Sequence, residues 1–345
     1  MMTGLNGMSK ATRFAAALLA TVVTTGVAST ASAQTAVTVR MDTFFYGSHV
    51  PILLGITEGI YKKHGLDVTA MPGRGSANTI QTVAAGTDQF GFADGGTLVK
   101  FVAQGLKAKQ IVGMFQTTPA IILAMPNSGI ATAKDLAGKT GGFGVGSAPE
   151  QLFAAFAKGS GLDPNSVKRV SVDLPTRDNL FMQKQIDFSF GYTVTQLPLM
   201  QEKCACKLIT LPYAGAGITA ISNGITVGDD YAAKNPAIVR SFAQATVEAI
   251  NAAVKNPEKG VDAFFQYAKD TKLSRPVVTD QWLETIKLLH TPATKDKPYG
   301  VTDPSDWQKT IDALVEYADL PKGAVTPAKV ATNEYLSEPS GGAKK

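Results

Sequence analysis

Histidine and cysteine are scarce in this chain, with three and two copies. His49, His64 and His290 have no metal-type partner four residues on, and Cys204 and Cys206 supply only half of the four ligands a structural zinc site takes. No metal site is therefore expected. Charge of one sign is scarce too: 33 Lys and Arg against 28 Asp and Glu give +5, scattered apart from a small lysine cluster at the C-terminus. There is no basic stripe to neutralise a run of phosphates, which argues against nucleic acid as a partner. Beyond the N-terminus no apolar run approaches the roughly 20 residues of a membrane helix.

Signatures of nucleotide and nucleophile chemistry are also missing. Gly138-Lys139-Thr140 ends like a P-loop, but residue 133 is Ala where that loop needs Gly. Gly73-Arg74-Gly75 begins like a dinucleotide fingerprint, but residue 78 is Asn in place of the third Gly. At most a single anion or polar group would sit on that helix start. Ser147 lacks the G-x-S-x-G frame of a nucleophile elbow. These patterns supply no catalytic residue and call for no cofactor.

What is present begins with an address. Lys10 and Arg13 precede an apolar run from Phe14 to about Val23, and Ala31-Ser32-Ala33 has the small-x-small pattern of a signal peptidase site. Residues 1–33 are expected to be a signal peptide cleaved after Ala33, with no lipid-modified cysteine near the cut, which gives a free periplasmic protein. Removal leaves 31 basic residues against 28 acidic, a charge of +3. The roughly 310 remaining residues exceed what one core usually holds, so two lobes are expected.

The mature chain opens with an alternating strand, Val37 to Met41, an aromatic loop and a helix with apolar residues at Ile52, Leu53, Ile56 and Ile60. Pro51 suits its first turn and Gly65 the stop that follows. The same grammar recurs twice. A strand from Asp67 to Met71 leads to a helix closed by Gly86, and a strand from Gln89 to Ala93 to a helix closed by Gly105. Successive strand-loop-helix units predict a parallel α/β sheet with right-handed crossovers, whose carboxyl-end loops open onto a ligand crevice. Strands at 110–115 and 120–124 follow, then a turn-rich break at Pro126 to Gly129 read as the lobe boundary and hinge. A second set of units runs to a strand returning at 217–226, which supplies the other hinge at Ser222 to Thr226, and the chain is helical from Asp230. Residues 337–345 read as a disordered tail.

Cys204 and Cys206 can pair in an oxidising compartment, but a bridge over one residue needs a tight turn, so a local disulfide and two free thiols both stay open. His49 reads equally as a partly exposed loop residue and as a crevice hydrogen-bonding group. Arg177 reads equally as a clamp for a carboxylate or sulfonate and as a surface ion pair with Asp173 or Asp178.

The order of several motifs resembles the periplasmic solute-binding proteins of ABC importers in the nitrate, taurine and alkanesulfonate family, including the branch for thiamine pyrimidine precursors. They are Glu58-Gly59-Ile60-Tyr61 with Gly65-Leu66-Asp67-Val68, Gly75-Ser76, Gly86 with Asp88-Gln89-Phe90-Gly91, Asp135 to Lys139, Gly161-Leu162-Asp163, Ile186-Asp187 and Asn235-Pro236. Asp42 and His49 match the opening pattern of the pyrimidine branch, whereas Thr43 and Phe45-Tyr46 depart from it.

The resemblance implies a type II periplasmic-binding fold, two α/β lobes around a ligand cleft joined by two crossing strands. Lobe one would be 35–124 with 222–336, and lobe two 125–221. It implies a monomer that passes a small-molecule solute to ABC permease transmembrane subunits. A pyrimidine-synthesis-type enzyme and a periplasmic sensor subunit are the alternatives.

The expected solute is planar or aromatic with an acidic or polar group, walled by Phe44, Phe45 and Tyr46 and covered by Tyr192; the alternative is that the aromatic run packs into lobe one as core. Its polar end would meet the helix starts at Gly75 and Ser76, at Asp94, Gly95 and Thr97, and at Gly146 and Ser147, with Thr118, Arg177 and His49 adding direction.

Overall fold

The computed structural model describes residues 34–144, 147–218 and 220–336. The signal segment with Ala33, Gly146 and the tail from 337 lie outside the described residues.

Among the described residues, ten strands form two five-stranded sheets. In the first, β1 (Thr35–Arg40), β2 (Leu66–Met71), β3 (Phe90–Ala93), β4 (Ala108–Gly113) and β10 (Gly224–Gly228) lie in the order β2-β1-β3-β10-β4. In the second, β5 (Ala120–Ala124), β6 (Thr140–Gly144), β7 (Lys168–Val172), β8 (Phe188–Tyr192) and β9 (Ile209–Pro212) lie in the order β7-β6-β8-β5-β9. Both sheets are mixed. The pairs within β2-β1-β3 and β7-β6-β8 are parallel, while β10 and β5 run antiparallel to both of their neighbours.

Local sequence accounts for the parallel units. The residues of β2 alternate buried and exposed, as a strand covered on one face requires. Pro51 lies in the first turn of the helix Val50–Thr57, and Gly65, Gly86 and Gly105 close their helices with φ of +77°, +73° and +94°. That region costs glycine nothing and other residues about 1–2 kcal/mol.

One expectation is corrected. Residues 120–124 were assigned with the first sheet, but β5 pairs with β8 and β9 in the second. All five of its residues are buried, so its apolar run carries no sign of which sheet it joins. The chain therefore leaves the first sheet after Gly113, ahead of the expected break at Pro126, and returns between Pro212 and Gly224. The two passages pair with each other: the Phe115 amide donates to Asn223 O at 2.7 Å and the Ser222 amide to Phe115 O at 2.8 Å.

Gln281, on the helix Arg275–Ile286, ties the halves together. Its Oε1 accepts the Gly47 amide at 2.7 Å, and its Nε2 donates to Thr195 O, just beyond β8, at 2.7 Å. A Cβ at Gly47 would run into the Val278 carbonyl and the Gln281 side chain, so only glycine lets the loop approach so closely.

Candidate functional site

Asp42 is the second residue after β1 and marks the floor of the site. Its Oδ1 lies 3.1 Å from His49 Nε2, its Oδ2 accepts from Asn223 Nδ2 at 2.8 Å, and its backbone oxygen accepts the Gly75 amide at 2.6 Å. The Tyr46 amide donates to His49 Nδ1 at 3.1 Å, so that nitrogen is the acceptor and the ring proton sits on Nε2, facing the carboxylate. His49 is 1% exposed and packs edge-on against Phe92. It is neither a partly exposed loop residue nor a cleft-lining one, and instead fixes Asp42 from behind.

Asp94 caps the helix Gly95–Ala103. It accepts from the Thr97 amide at 2.6 Å, from Thr97 Oγ1 at 2.8 Å and from Ser222 Oγ at 2.9 Å, while its own amide donates to Ser76 Oγ at 3.2 Å. Burial pushes this carboxyl above its ordinary value, against the lowering effect of the Thr97 and Ser222 hydrogen bonds.

From the second sheet comes Arg177, 1% exposed on the helix Leu174–Met182. Its Nε and Nη2 donate to Asp178 Oδ1 at 2.9 and 2.7 Å, and its Nη1 to Glu150 Oε1 at 3.1 Å. Burial alone would lower its pKa, but the two carboxylates outweigh that and raise it. The surface ion-pair reading is half corrected: Asp178 is the partner, together with Glu150, and the group is buried.

Tyr192 ends β8 at 6% exposure. Among the described residues its hydroxyl has no hydrogen-bond partner, nor have Thr43 Oγ1 and Glu150 Oε2. Desolvation raises the phenol far above its usual range, and the nearby charges of Asp94, Asp42 and Glu150 raise it further, against a lowering contact with the Ser222 side chain that falls outside good hydrogen-bond geometry.

These residues enclose a polar cleft between the two sheets. The first sheet contributes Asp42, Thr43, Gly75 and Ser76; the second contributes Ser147, Arg177, Tyr192, Thr195 and Gln196. The space is shut to about 30 Å³, room for one or two groups the size of water. Beside it lies a larger apolar groove of about 570 Å³, lined by Phe44, Phe45, Tyr46 and Pro72, by Pro175, Asp178 and Leu199, and by Tyr267 to Leu273.

Of the expected site residues, the structure brings Gly75, Ser76, Ser147, Arg177 and Tyr192 together. Phe44, Phe45 and Tyr46 line the neighbouring groove instead of the polar cleft, and Tyr46 is buried among Ile121, Leu123 and Leu199 of the second half. Thr97 spends its amide on Asp94, and Gly95 packs against the Ile221 carbonyl and Trp307, so that helix start is already satisfied. Thr118, in the passage to β5, accepts the Ala120 amide. Asp42, Thr43, Glu150, Asp178, Thr195, Gln196 and Asn223 are not among the expected site residues. Asp42 and Thr43 carry a signal, since they open the loop leaving β1; the others lie far from that loop in sequence.

Cys204 and Cys206 are joined, with Cα atoms 5.1 Å apart, and Ala205 between them takes the left-handed conformation that the tight turn requires. Among the described residues no helix is long and apolar enough to cross a membrane, and no cluster of three metal-ligating side chains occurs.

The family model described as NMT1/THI5 like matches residues 47–260. The chain is 25% identical over 236 residues to the riboflavin-binding protein RibY of Chloroflexus aurantiacus, a match that covers 68% of this chain and 66% of that protein. It is 22% identical over 237 residues to the 4-amino-5-hydroxymethyl-2-methylpyrimidine phosphate synthase of Legionella pneumophila, covering 68% and 74%. Among solved structures, the periplasmic aliphatic sulphonate binding protein SsuA of Escherichia coli superposes with a TM-score of 0.63 at 16% identity, over 85% of this chain and 91% of that one. At that identity the likeness shows the fold, the type II periplasmic-binding architecture.

Proposed function

The chain belongs to the NMT1/THI5-like family, and from that premise we propose that it is the periplasmic solute-binding component of an ABC importer. It captures one small organic solute between its two halves and delivers it to a membrane permease. The observation that carries this reading is the cleft itself, whose polar groups come from both sheets while the chain passes between the sheets only twice among the described residues. A solute that touches Asp42 and Ser76 on one side and Arg177 and Tyr192 on the other stabilises the closed arrangement over the open one. A permease that recognises the closed form then reads occupancy.

The two passages, 114–119 and 213–223, are the proposed hinge. The lobes are then 35–113 with 224–336, and 120–212. The solute has a planar or apolar part for the groove beside Phe44 and Phe45, where burial contributes on the order of 25 cal/mol per Å², and a polar head for the cleft.

The similarity to a synthase favours one second reading, an enzyme of pyrimidine synthesis. A single experiment separates the two. Small-angle scattering of the protein, free and saturated with a solute, should show a smaller radius of gyration when saturated, and mass spectrometry should recover the solute unchanged. An unchanged radius argues against the importer reading, and a chemically altered solute favours the enzyme.

A further inference from the structure

The cleft's charges run against the acidic form of the acidic or polar group expected at its helix starts. Asp42 and Arg177 are the charged groups that line the cleft, and the carboxylates of Glu150 and Asp178 stand behind Arg177, so three carboxylates face one guanidinium. The start of the helix Ser76–Ala84 returns roughly half an elementary charge at most. Arg74, in the adjoining loop, is exposed to water and screened accordingly.

Asp42 itself is held by two neutral groups, the imidazole of His49 and the amide of Asn223. A carboxylate shut away without a countercharge costs several kcal/mol, so closure is disfavoured until something positive joins it. An added anion would place a further negative charge in this space. Arg177 has two N–H donors to spare out of five, but its charge is already matched by Glu150 and Asp178.

The unpartnered groups point the same way. Tyr192 and Thr43 are 6% and 7% exposed and line the cleft; the Thr43 hydroxyl has no partner among the described residues, and the Tyr192 hydroxyl meets only the Ser222 side chain, outside good hydrogen-bond geometry. Each Asp42 oxygen has one lone-pair direction left after His49 and Asn223 are counted. Two hydroxyls and one carboxylate, four acceptor oxygens in all, therefore border one small space, and an ammonium brings three donors and a positive charge to it.

Resting on the solute-binding reading, we propose that the solute's polar head is a protonated amine, seated between the Asp42 carboxylate and the hydroxyls of Tyr192 and Thr43, with its carbon skeleton directed toward the apolar groove.

The test is titration calorimetry of the purified full chain with three matched probes: 2-phenylethylammonium, 3-phenylpropionate and 2-phenylethanol. The ammonium should bind at least about tenfold tighter than either of the others, and Asp42→Asn should remove that preference. Equal or tighter binding of the carboxylate or the alcohol overturns the proposal. So does the absence of amine binding at millimolar concentration, or an Asp42→Asn protein that folds and keeps the preference. The wild-type comparison decides the matter if the variant fails to fold. Carboxylate binding accompanied by compaction would overturn the amine and leave the solute-binding reading standing, whereas a chemically altered solute would overturn that reading instead.

Discussion

His49 and Asp42 form a buried pair in which a neutral imidazole, its Nδ1 occupied by the Tyr46 amide, points its Nε2 proton at the carboxylate across 3.1 Å. Truncation to His49→Ala would leave a carboxylate oxygen and a backbone amide without partners. Each orphaned group costs about 1–3 kcal/mol, so a drop of several degrees in the melting temperature is expected together with weaker solute binding. Melting at the wild-type temperature would show that the pair does not anchor the loop.

Tyr192→Phe should separate binding from stability. The hydroxyl it removes is buried and meets only the Ser222 side chain, outside good hydrogen-bond geometry, so the variant should stay within about 1 kcal/mol of wild type. Solute affinity should fall about tenfold in calorimetry. Clear destabilisation in urea titrations would mean that the hydroxyl has a partner in the folded protein.

The three consecutive aromatics should respond differently to alanine. Phe44 is 39% exposed on the groove, so Phe44→Ala should stay within about 0.5 kcal/mol of wild type while weakening the solute. Phe45 packs edge-on against Tyr267 at 5.6 Å, and its loss should cost about 1–3 kcal/mol. Tyr46 sits in the core of the second half, and Tyr46→Ala should cost about 3–5 kcal/mol. Equal effects of the three in denaturant titrations would contradict this ordering.

Asp94 predicts a pH dependence. Burial raises its carboxyl above the ordinary 3.8, so the folded protein takes up a proton at a pH where the unfolded chain has not. By linkage this group's contribution falls as the pH rises from 3.8 through the folded value and stays depressed above it. Asp94→Asn, which cannot titrate, should lose that slope. Its melting temperature relative to wild type should improve between pH 4 and 7, and parallel pH profiles for the two proteins would refute the assignment.

Sequence by itself determined the units and the ends of strands that face the site. Hydrophobic periodicity, Pro51 in a first turn and glycines at 65, 86 and 105 are local signals, because backbone φ and the periods of strand and helix are properties of neighbouring residues. They were enough to place Ser76 and Asp94 beyond β2 and β3 on the crevice side of a parallel sheet, and to mark the loop after β1 as facing the same crevice.

Tertiary structure alone decided which sheet β5 joins, that Tyr46 is core, that His49 stands behind Asp42, and that Arg177 is matched by Glu150 and Asp178. Each outcome depends on a partner brought from elsewhere in the chain: Ile121 for Tyr46, Glu150 for Arg177, and Asn223, 181 positions away, for Asp42. The charge of the cleft is a sum over such partners. Helix starts taken one at a time suggest an acidic or polar solute group, and the carboxylates the fold gathers near them are the reason an amine is proposed instead.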